Sequence, residues 1–177
     1  MNKFLYCLKK QNLEYFSTLK ETSYDKDNKI YLCNNTTEEV IDFDELIKKR
    51  YPKKQPSSVD AILTYPLERE IKLYLIEFKN QITAKIDNQE IRKKLTNSID
   101  TLKDIFSKCN ISFNSTKLFY CVVYKKQTST WMDKIKENVI RFGLEEFEGQ
   151  LVDGIFTNDV ERMREKYNKI FQKKLNC

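Results

Sequence analysis

Asp60, Glu77 and Lys79 are the residues of this chain with the clearest chemical potential, since they lie within or beside two apolar segments. Residues 62–65 and 71–78 are predicted strands, joined by a polar turn that begins at Pro66. A carboxylate in such a segment needs a compensating charge, because an unpaired buried carboxylate is unstable or becomes protonated. Two acids beside one lysine are the groups that a magnesium-dependent phosphodiesterase needs.

The predicted register of this hairpin brings the three side chains together. If Pro66 faces Ile71, Asp60 lies opposite Glu77, and directly opposed residues share a sheet face with Cβ atoms about 5 Å apart. That spacing suits two carboxylates that bind one hard cation through oxygens at about 2.1 Å. Lys79 lies two residues after Glu77 and therefore projects from the same face. The length of the turn is an assumption, because a slip of one residue or a bulge would separate the acids.

The Glu-x-Lys pattern by itself is weak, because 33% of the residues are charged. Residues 70–72 also fit the pattern but lie at the solvated end of the hairpin. Glu77 differs because it ends a segment that is apolar on both faces. The alternative interpretation is a buried ion pair, in which Lys79 neutralises Glu77 or Asp60 and helps to close the core. Two acids for one lysine leave a negative excess, which favours a metal site.

Composition excludes several classes of site. The 177 residues contain no histidine, which excludes Ser-His-Asp and Cys-His catalysis and histidine-ligated zinc. The five cysteines are widely spaced and odd in number, so we expect reduced core residues of a cytosolic protein. No segment is apolar enough to span a bilayer, and we expect a soluble, cytoplasmic protein. The length predicts one domain over residues 1–177.

The segments after Lys79 predict a crossover between parallel strands. Asp87 and Glu90 form a capping box, and apolar residues at helical spacing predict a helix over residues 88–107. A buried strand over residues 117–124 follows, so it should lie parallel to strand 71–78. Further on, the pattern predicts a helix over residues 131–141 closed by Gly143, an edge strand over 152–157, and a last helix capped by Asn158 with Glu161.

The N-terminal third leaves alternatives open. Residues 4–8 fit a short strand or the start of a helix, residues 12–21 are weakly helical, and residues 29–33 read as a strand. After the turn at residues 34–37, either Thr36 and Glu39 form a capping box, or residues 40–43 form a returning strand. In the second case Asp44 caps a short helix that ends at Arg50.

This order of elements resembles the core of the PD-(D/E)XK nuclease superfamily over residues 40–125, with additions at both ends. The order is helix, strand, strand with Asp60, strand with Glu77-x-Lys79, helix and strand. Val59, not proline, precedes the aspartate, at a position that varies in the superfamily. Residues 75–80 also resemble small bacterial or phage-associated proteins with no assigned activity. The resemblance implies an α/β (α+β) fold, a restriction-endonuclease-like mixed central sheet flanked by helices on both faces.

The same resemblance implies roles for named residues. Asp60 and Glu77 would hold Mg²⁺ (or Mn²⁺), together with the backbone carbonyl of Phe78, and Lys79 would position the attacking water. The family often adds an acid from the first core helix and, in some branches, a glutamine from the helix after Glu-x-Lys. The candidates are Glu45, then Glu38 or Asp44, for the acid, and Gln89 for the glutamine.

The expected function is therefore hydrolysis of nucleic-acid phosphodiester bonds, with DNA favoured over RNA. The net charge of +6 and the lysines after the motif fit a polyanionic partner, although lysines on solvated helix faces explain them equally well. The candidate nucleic-acid contacts are Lys85, Lys93 and Lys94. The alternative is a catalytically inactive module that binds a protein partner, such as an immunity or anti-defence protein. A third possibility is a nuclease subunit that acts only as a homodimer or within a complex.

Overall fold

The protein has an α+β fold built on a six-stranded mixed sheet, and the computed structural model describes residues 3–66, 70–126, 139–175 and 177. Strand order across the sheet is β1–β4–β5–β6–β7–β8, and β2 and β3 form a separate two-stranded sheet. The described elements are, in chain order, α1 (Lys3–Lys10), β1 (Phe16–Thr18), α2 (Leu19–Thr22), β2 (Tyr24–Asp25), β3 (Ile30–Tyr31), β4 (Glu39–Asp42), α3 (Phe43–Arg50), β5 (Ala61–Pro66), β6 (Ile71–Lys79), α4 (Asn88–Ser107), β7 (Thr116–Tyr124), β8 (Gly154–Asp159) and α5 (Val160–Phe171).

The sheet changes from antiparallel to parallel at β6. Strands β1, β4, β5 and β6 pair antiparallel, whereas β6, β7 and β8 pair parallel. Helix α4 connects β6 to β7, so the predicted crossover is confirmed. It begins where Asp87 accepts hydrogen bonds from the amides of Gln89 (2.8 Å) and Glu90 (3.3 Å), so Asp87 is the predicted cap. The Glu90 carboxylate instead accepts from Lys79 at 2.8 Å.

Helices cover both faces of the sheet, as predicted. Alternate residues of a strand point to opposite faces. Leu73 and Leu75 of β6 pack into the cluster that contains residues of α1, α3 and α4, which we call the α4 face. Tyr74 and Ile76 pack into the cluster that contains residues of α2 and α5, which we call the α5 face. Odd-numbered β6 residues, Glu77 among them, therefore belong to the α4 face.

The N-terminal alternatives are resolved by the structure. Residues 4–8 belong to helix α1, while residues 12–21, expected as weakly helical, include strand β1 before the single turn α2. Residues 39–42 form the returning strand β4, so the Thr36 capping box is wrong. Asp42 caps α3 instead of Asp44, because the Asp42 carboxylate accepts the Glu45 amide at 2.9 Å.

The C-terminal elements follow the predicted order with shifted bounds. The edge strand begins at Gly154 and ends at Asp159, and Asp159, not Asn158, caps α5 through the amides of Glu161 and Arg162. Most of the helix predicted over 131–141 falls on residues 127–138, which lie outside the described residues. In the described ranges no helix is long and apolar enough to cross a membrane.

The cysteines correct the expectation of reduced thiols. Cys7 is disulfide-bonded to Cys109 and Cys33 to Cys177, which leaves Cys121 as the free cysteine. The bonded cysteines are 102 and 144 residues apart in sequence, so no local spacing indicates which cysteines pair. Packing of α1 against α4 brings Cys7 to a Cα–Cα distance of 5.7 Å from Cys109, within the range that a disulfide requires.

Candidate functional site

The β5–β6 hairpin has the register predicted from the sequence. Pro66 pairs with Ile71, and the ladder continues to the pair of Ala61 with Ile76. Asp60 lies one residue before β5, where the ladder departs from regular spacing. Its amide donates to the carbonyl of Ile76 at 3.0 Å, one residue short of the expected opposite residue, Glu77. The two acids are therefore neighbours without forming a regular cross-strand pair.

Asp60 nevertheless reaches the end of β6 through its side chain. One carboxylate oxygen, Oδ2, accepts the amide of Phe78 at 2.6 Å. The N–H and C=O of one strand residue point to the same side of the strand. Because the Lys79 carbonyl accepts from Lys125 in the extension of β7, the Phe78 carbonyl points the other way, toward Asp60. The backbone oxygen predicted as a ligand thus faces the Asp60 side of the strand.

Glu77 is the buried centre of the site. Its side chain is 0% exposed, and its Oε1 accepts from Lys94 Nζ at 2.7 Å and lies 3.3 Å from Lys79 Nζ. The second oxygen, Oε2, is buried without a hydrogen-bond partner in the described part of the chain. Glu77 and Lys79 therefore meet on the α4 face, as their spacing of two residues predicts. One carboxylate oxygen still lacks the partner that a buried charge requires.

Lys94 joins the two carboxylates from the side of helix α4. Its Nζ lies 3.7 Å from Asp60 Oδ1 in addition to its hydrogen bond with Glu77. Glu90, one turn earlier on the same helix, accepts from Lys79 at 2.8 Å and lies 3.9 Å from Lys94. Three acids and two lysines thus form one network. The sequence analysis missed Glu90 as a member and treated Lys94 only as a nucleic-acid contact, although its i+4 spacing from Glu90 on a capped helix was visible.

Burial raises the pKa of both central acids. Burial is the largest cause for Glu77, the charge of Asp60 adds to it, and the pKa reaches about 8 although Lys94 and Lys79 oppose the rise. Burial likewise raises the pKa of Asp60 to about 6, against the charge of Lys94 and the Phe78 amide. Burial alone would lower the pKa of Lys94, but Glu77 and Asp60 outweigh it and raise that pKa. Perturbed acids of this kind cluster at functional sites and also in structural ion-pair networks.

The weaker candidates from the sequence lie outside this network. Glu45 is exposed and forms an ion pair with Lys48 on α3. Glu38 pairs with Lys173 at 3.7 Å, and Gln89 is an exposed residue of the first turn of α4. Asp44 lies nearer to the network than these residues, and its charge contributes to the raised pKa of Asp60.

Asp44 and α4 together hold the segment that precedes Asp60. The Asp44 carboxylate accepts from Ser58 Oγ at 3.0 Å, and Ser98 Oγ accepts the amide of Val59 at 3.0 Å. Asn97 donates to Ser57 Oγ at 2.9 Å. These contacts fix the position from which Asp60 enters the site, and hydroxyl and amide side chains at such positions give no recognisable sequence signal.

The predicted nucleic-acid contacts occupy different environments. Lys85 and Lys93 are exposed, as a contact with phosphate requires, whereas the side chain of Lys94 is only 18% exposed and its amine lies within the site. Lys93 projects from the adjacent position of α4 toward solvent. Of the predicted contacts, Lys94 therefore belongs to the network, and Lys93 lies beside it on α4.

The site fits a magnesium ion in its donor chemistry but offers few protein ligands. No group of three or more His, Cys, Asp and Glu side chains that could hold a metal is found among residues 3–66, 70–126 and 139–175 and Cys177. Mg²⁺ commonly binds through one or two carboxylates and keeps several waters. The unpartnered Glu77 Oε2, together with Asp60 Oδ1 and the Phe78 carbonyl, would supply oxygen ligands of that kind.

Comparisons of the chain with protein-family models, with curated proteins and with solved structures find no match. The likeness to PD-(D/E)XK nucleases therefore stays a prediction.

Proposed function

We propose that this protein is a metal-dependent nuclease that hydrolyses phosphodiester bonds of nucleic acid, with DNA favoured over RNA. One observation carries the proposal. The carboxylates of Asp60 and Glu77 and the amines of Lys79 and Lys94 converge on the α4 face at the end of β6, and Glu77 keeps an unpartnered buried oxygen. Asp60 is a quarter exposed, so solvent reaches the network at its side.

Each side chain has a role that its position supports. Asp60 and Glu77 would hold Mg²⁺ or Mn²⁺ with the Phe78 carbonyl, and the bound ion would polarise the phosphate and activate a water. Lys79, whose side chain is 15% exposed, would align that water and stabilise charge that develops on the phosphate. Lys94 would favour the ionised form of Glu77, because its positive charge lowers the pKa of that acid against the effect of burial.

The direct test is a cleavage assay. Purified protein is incubated with linear, circular, single-stranded and branched DNA and with RNA, in Mg²⁺, in Mn²⁺ and in EDTA. We expect metal-dependent cleavage that is lost in Asp60→Asn and in Lys79→Ala. Lys72→Ala is the matched control, since Lys72 is on the same strand but faces the other side of the sheet. Activity that survives in both Asp60→Asn and Lys79→Ala would exclude this site.

A second candidate function is a catalytically inactive module that binds a protein partner. Lys94 Nζ lies between Glu77 and Asp60, 2.7 Å from one and 3.7 Å from the other, so an amine already neutralises part of the site. Calorimetry separates the candidates. Binding of Mg²⁺ or Mn²⁺ that disappears in Asp60→Asn supports the nuclease, whereas absence of metal binding with tight binding of one protein supports the module.

A further inference from the structure

An open groove lies next to the candidate site, between helix α4 and the segment that precedes Asp60. Its volume is about 490 Å³, within the range of roughly 300–1,000 Å³ for sites that enclose a ligand. Its two walls belong to the segments that carry Lys94 and Asp60, since Asn97 lies one helical turn after Lys94 and Ser57 lies three residues before Asp60. The walls meet where Asn97 donates to Ser57 Oγ at 2.9 Å. The groove is lined by Tyr51, Lys54, Gln55, Pro56, Ser57, Lys93, Asn97, Asp100 and Thr101.

We propose that this groove binds single-stranded nucleic acid and leads it to the Asp60–Glu77 site. The inference rests on the proposed nuclease function and adds to it the form of the substrate. A strand lying in the groove would pass along α4 toward Lys94, with its phosphates on Lys54 and Lys93.

The charges of the groove suit a polyanion. Lys54 and Lys93 are exposed and stand on opposite walls, and neither forms an ion pair within the part of the chain that the structure describes. The acid of the groove, Asp100, lies 3.8 Å from Lys103, which offsets its charge. Each phosphate contact of such a lysine releases counterions, which makes binding favourable and dependent on salt.

The shape and the apolar surface of the groove favour one strand over a duplex. Tyr51 and Pro56 line it beside the lysines, and an aromatic ring accepts the face of any base. Glu77 is 0% exposed, and solvent reaches the network at the side chain of Asp60, which is 25% exposed. A single strand can bend to bring one phosphate to Asp60, whereas paired bases hold both backbones of a duplex at the surface.

Binding is measured separately from cleavage, by fluorescence anisotropy of labelled oligonucleotides of about 15 nucleotides in EDTA. We expect the wild-type protein to bind the single strand about tenfold more tightly than the matching duplex. The double variant Lys54→Glu, Lys93→Glu should bind the single strand at least about tenfold more weakly. The slope of log K against log salt should fall in magnitude by about 1.4, which corresponds to two lost phosphate contacts on a single strand.

The matched control is Lys169→Glu, Lys174→Glu, which makes the same change of charge with two exposed lysines on and after α5. Its affinity should stay within about twofold of wild type. Preference for duplex, or equal losses in both double variants, would overturn the groove. If the wild type cleaves nucleic acid but Lys54→Glu, Lys93→Glu binds the single strand as tightly as wild type, the groove is refuted and the nuclease function stands. If the double variant binds more weakly but the wild type cleaves nothing, the nuclease function is refuted.

Discussion

Removal of the Lys94 amine should destabilise the protein in a manner that depends on pH. Lys94→Met keeps most of the side-chain volume but leaves the carboxylate of Glu77 with Lys79 as its remaining cation at 3.3 Å. The Lys94–Glu77 hydrogen bond is 2.7 Å long, and its partners are 18% and 0% exposed. Breaking a buried pair of this kind costs about 3–5 kcal/mol of the free energy of unfolding, because one buried charge loses its partner.

This cost should appear only where Glu77 is ionised. The pKa of Glu77 is about 8, so the acid is mostly neutral at pH 5 and mostly ionised at pH 9. Because Lys94 lowers the pKa of Glu77, its removal raises that pKa further, and Glu77 of the variant takes up a proton instead of staying ionised without its partner. We therefore expect Lys94→Met to lower the free energy of unfolding by about 1.4 kcal/mol more at pH 9 than at pH 5, the free energy that corresponds to one pKa unit.

Urea unfolding followed by circular dichroism at both pH values measures the difference. Lys93→Met is the matched control, because Lys93 is the exposed neighbour on the same helix and its loss should be nearly neutral at either pH. The double variant Glu77→Gln, Lys94→Met should recover much of the loss at pH 9, since no buried charge is then left unpaired. A cost of Lys94→Met that is the same at pH 5 and pH 9 would refute this account of the network.

Four further predictions concern the site, the disulfides and the helix cap. The pKa of Glu77 is raised in the folded state, so its contribution to the free energy of unfolding is present below about pH 4.5 and is lost as pH rises toward 8. Urea titrations should therefore show that the free energy of unfolding of the wild type falls by several kcal/mol over that range relative to Glu77→Gln. Mg²⁺ should raise the Tm of the wild type more at pH 8 than at pH 6, because protons compete for the same oxygens, and should not raise that of Asp60→Asn; equal shifts in both proteins would contradict a metal at this site. Unfolding without reductant should expose one thiol to a thiol reagent, that of Cys121, and five after reduction, whereas five at the outset would contradict both disulfides. Asp87→Ala should cost about 1 kcal/mol through loss of the cap of α4, with Asn88→Ala as a near-neutral control, and equal costs would refute the assigned cap.

Local patterns predicted much of the fold. The β5–β6 register follows from the apolar run and the length of its turn, and helix α4 has the bounds predicted by its capping box and periodicity. Both signals lie within a few residues of what they determine. Strand β1 was not predicted, because its three-residue pairing with β4 depends on partners more than twenty residues away.

The candidate site likewise has a part that the sequence predicted and a part that it did not. Glu77 and Lys79 meet because they are two residues apart on one strand, and this spacing is visible in the chain. Lys94, Glu90 and the unpartnered Glu77 oxygen belong to the site because α4 packs across the end of β6, which no spacing reveals. The irregular pairing of Asp60 is another such feature, because its amide donates to the carbonyl of Ile76, and not of Glu77, just before the first residue of β5.

The sequence by itself determined the order of the principal elements and the strand that carries two of the charged residues, since local propensity and periodicity act between near neighbours in the chain. Only the tertiary structure decided which lysines neutralise the acids, which cysteines are joined, and which oxygen remains without a partner. These outcomes depend on distances between segments far apart in sequence, and on burial, which gives each charge its effect only after the helices have packed on the sheet.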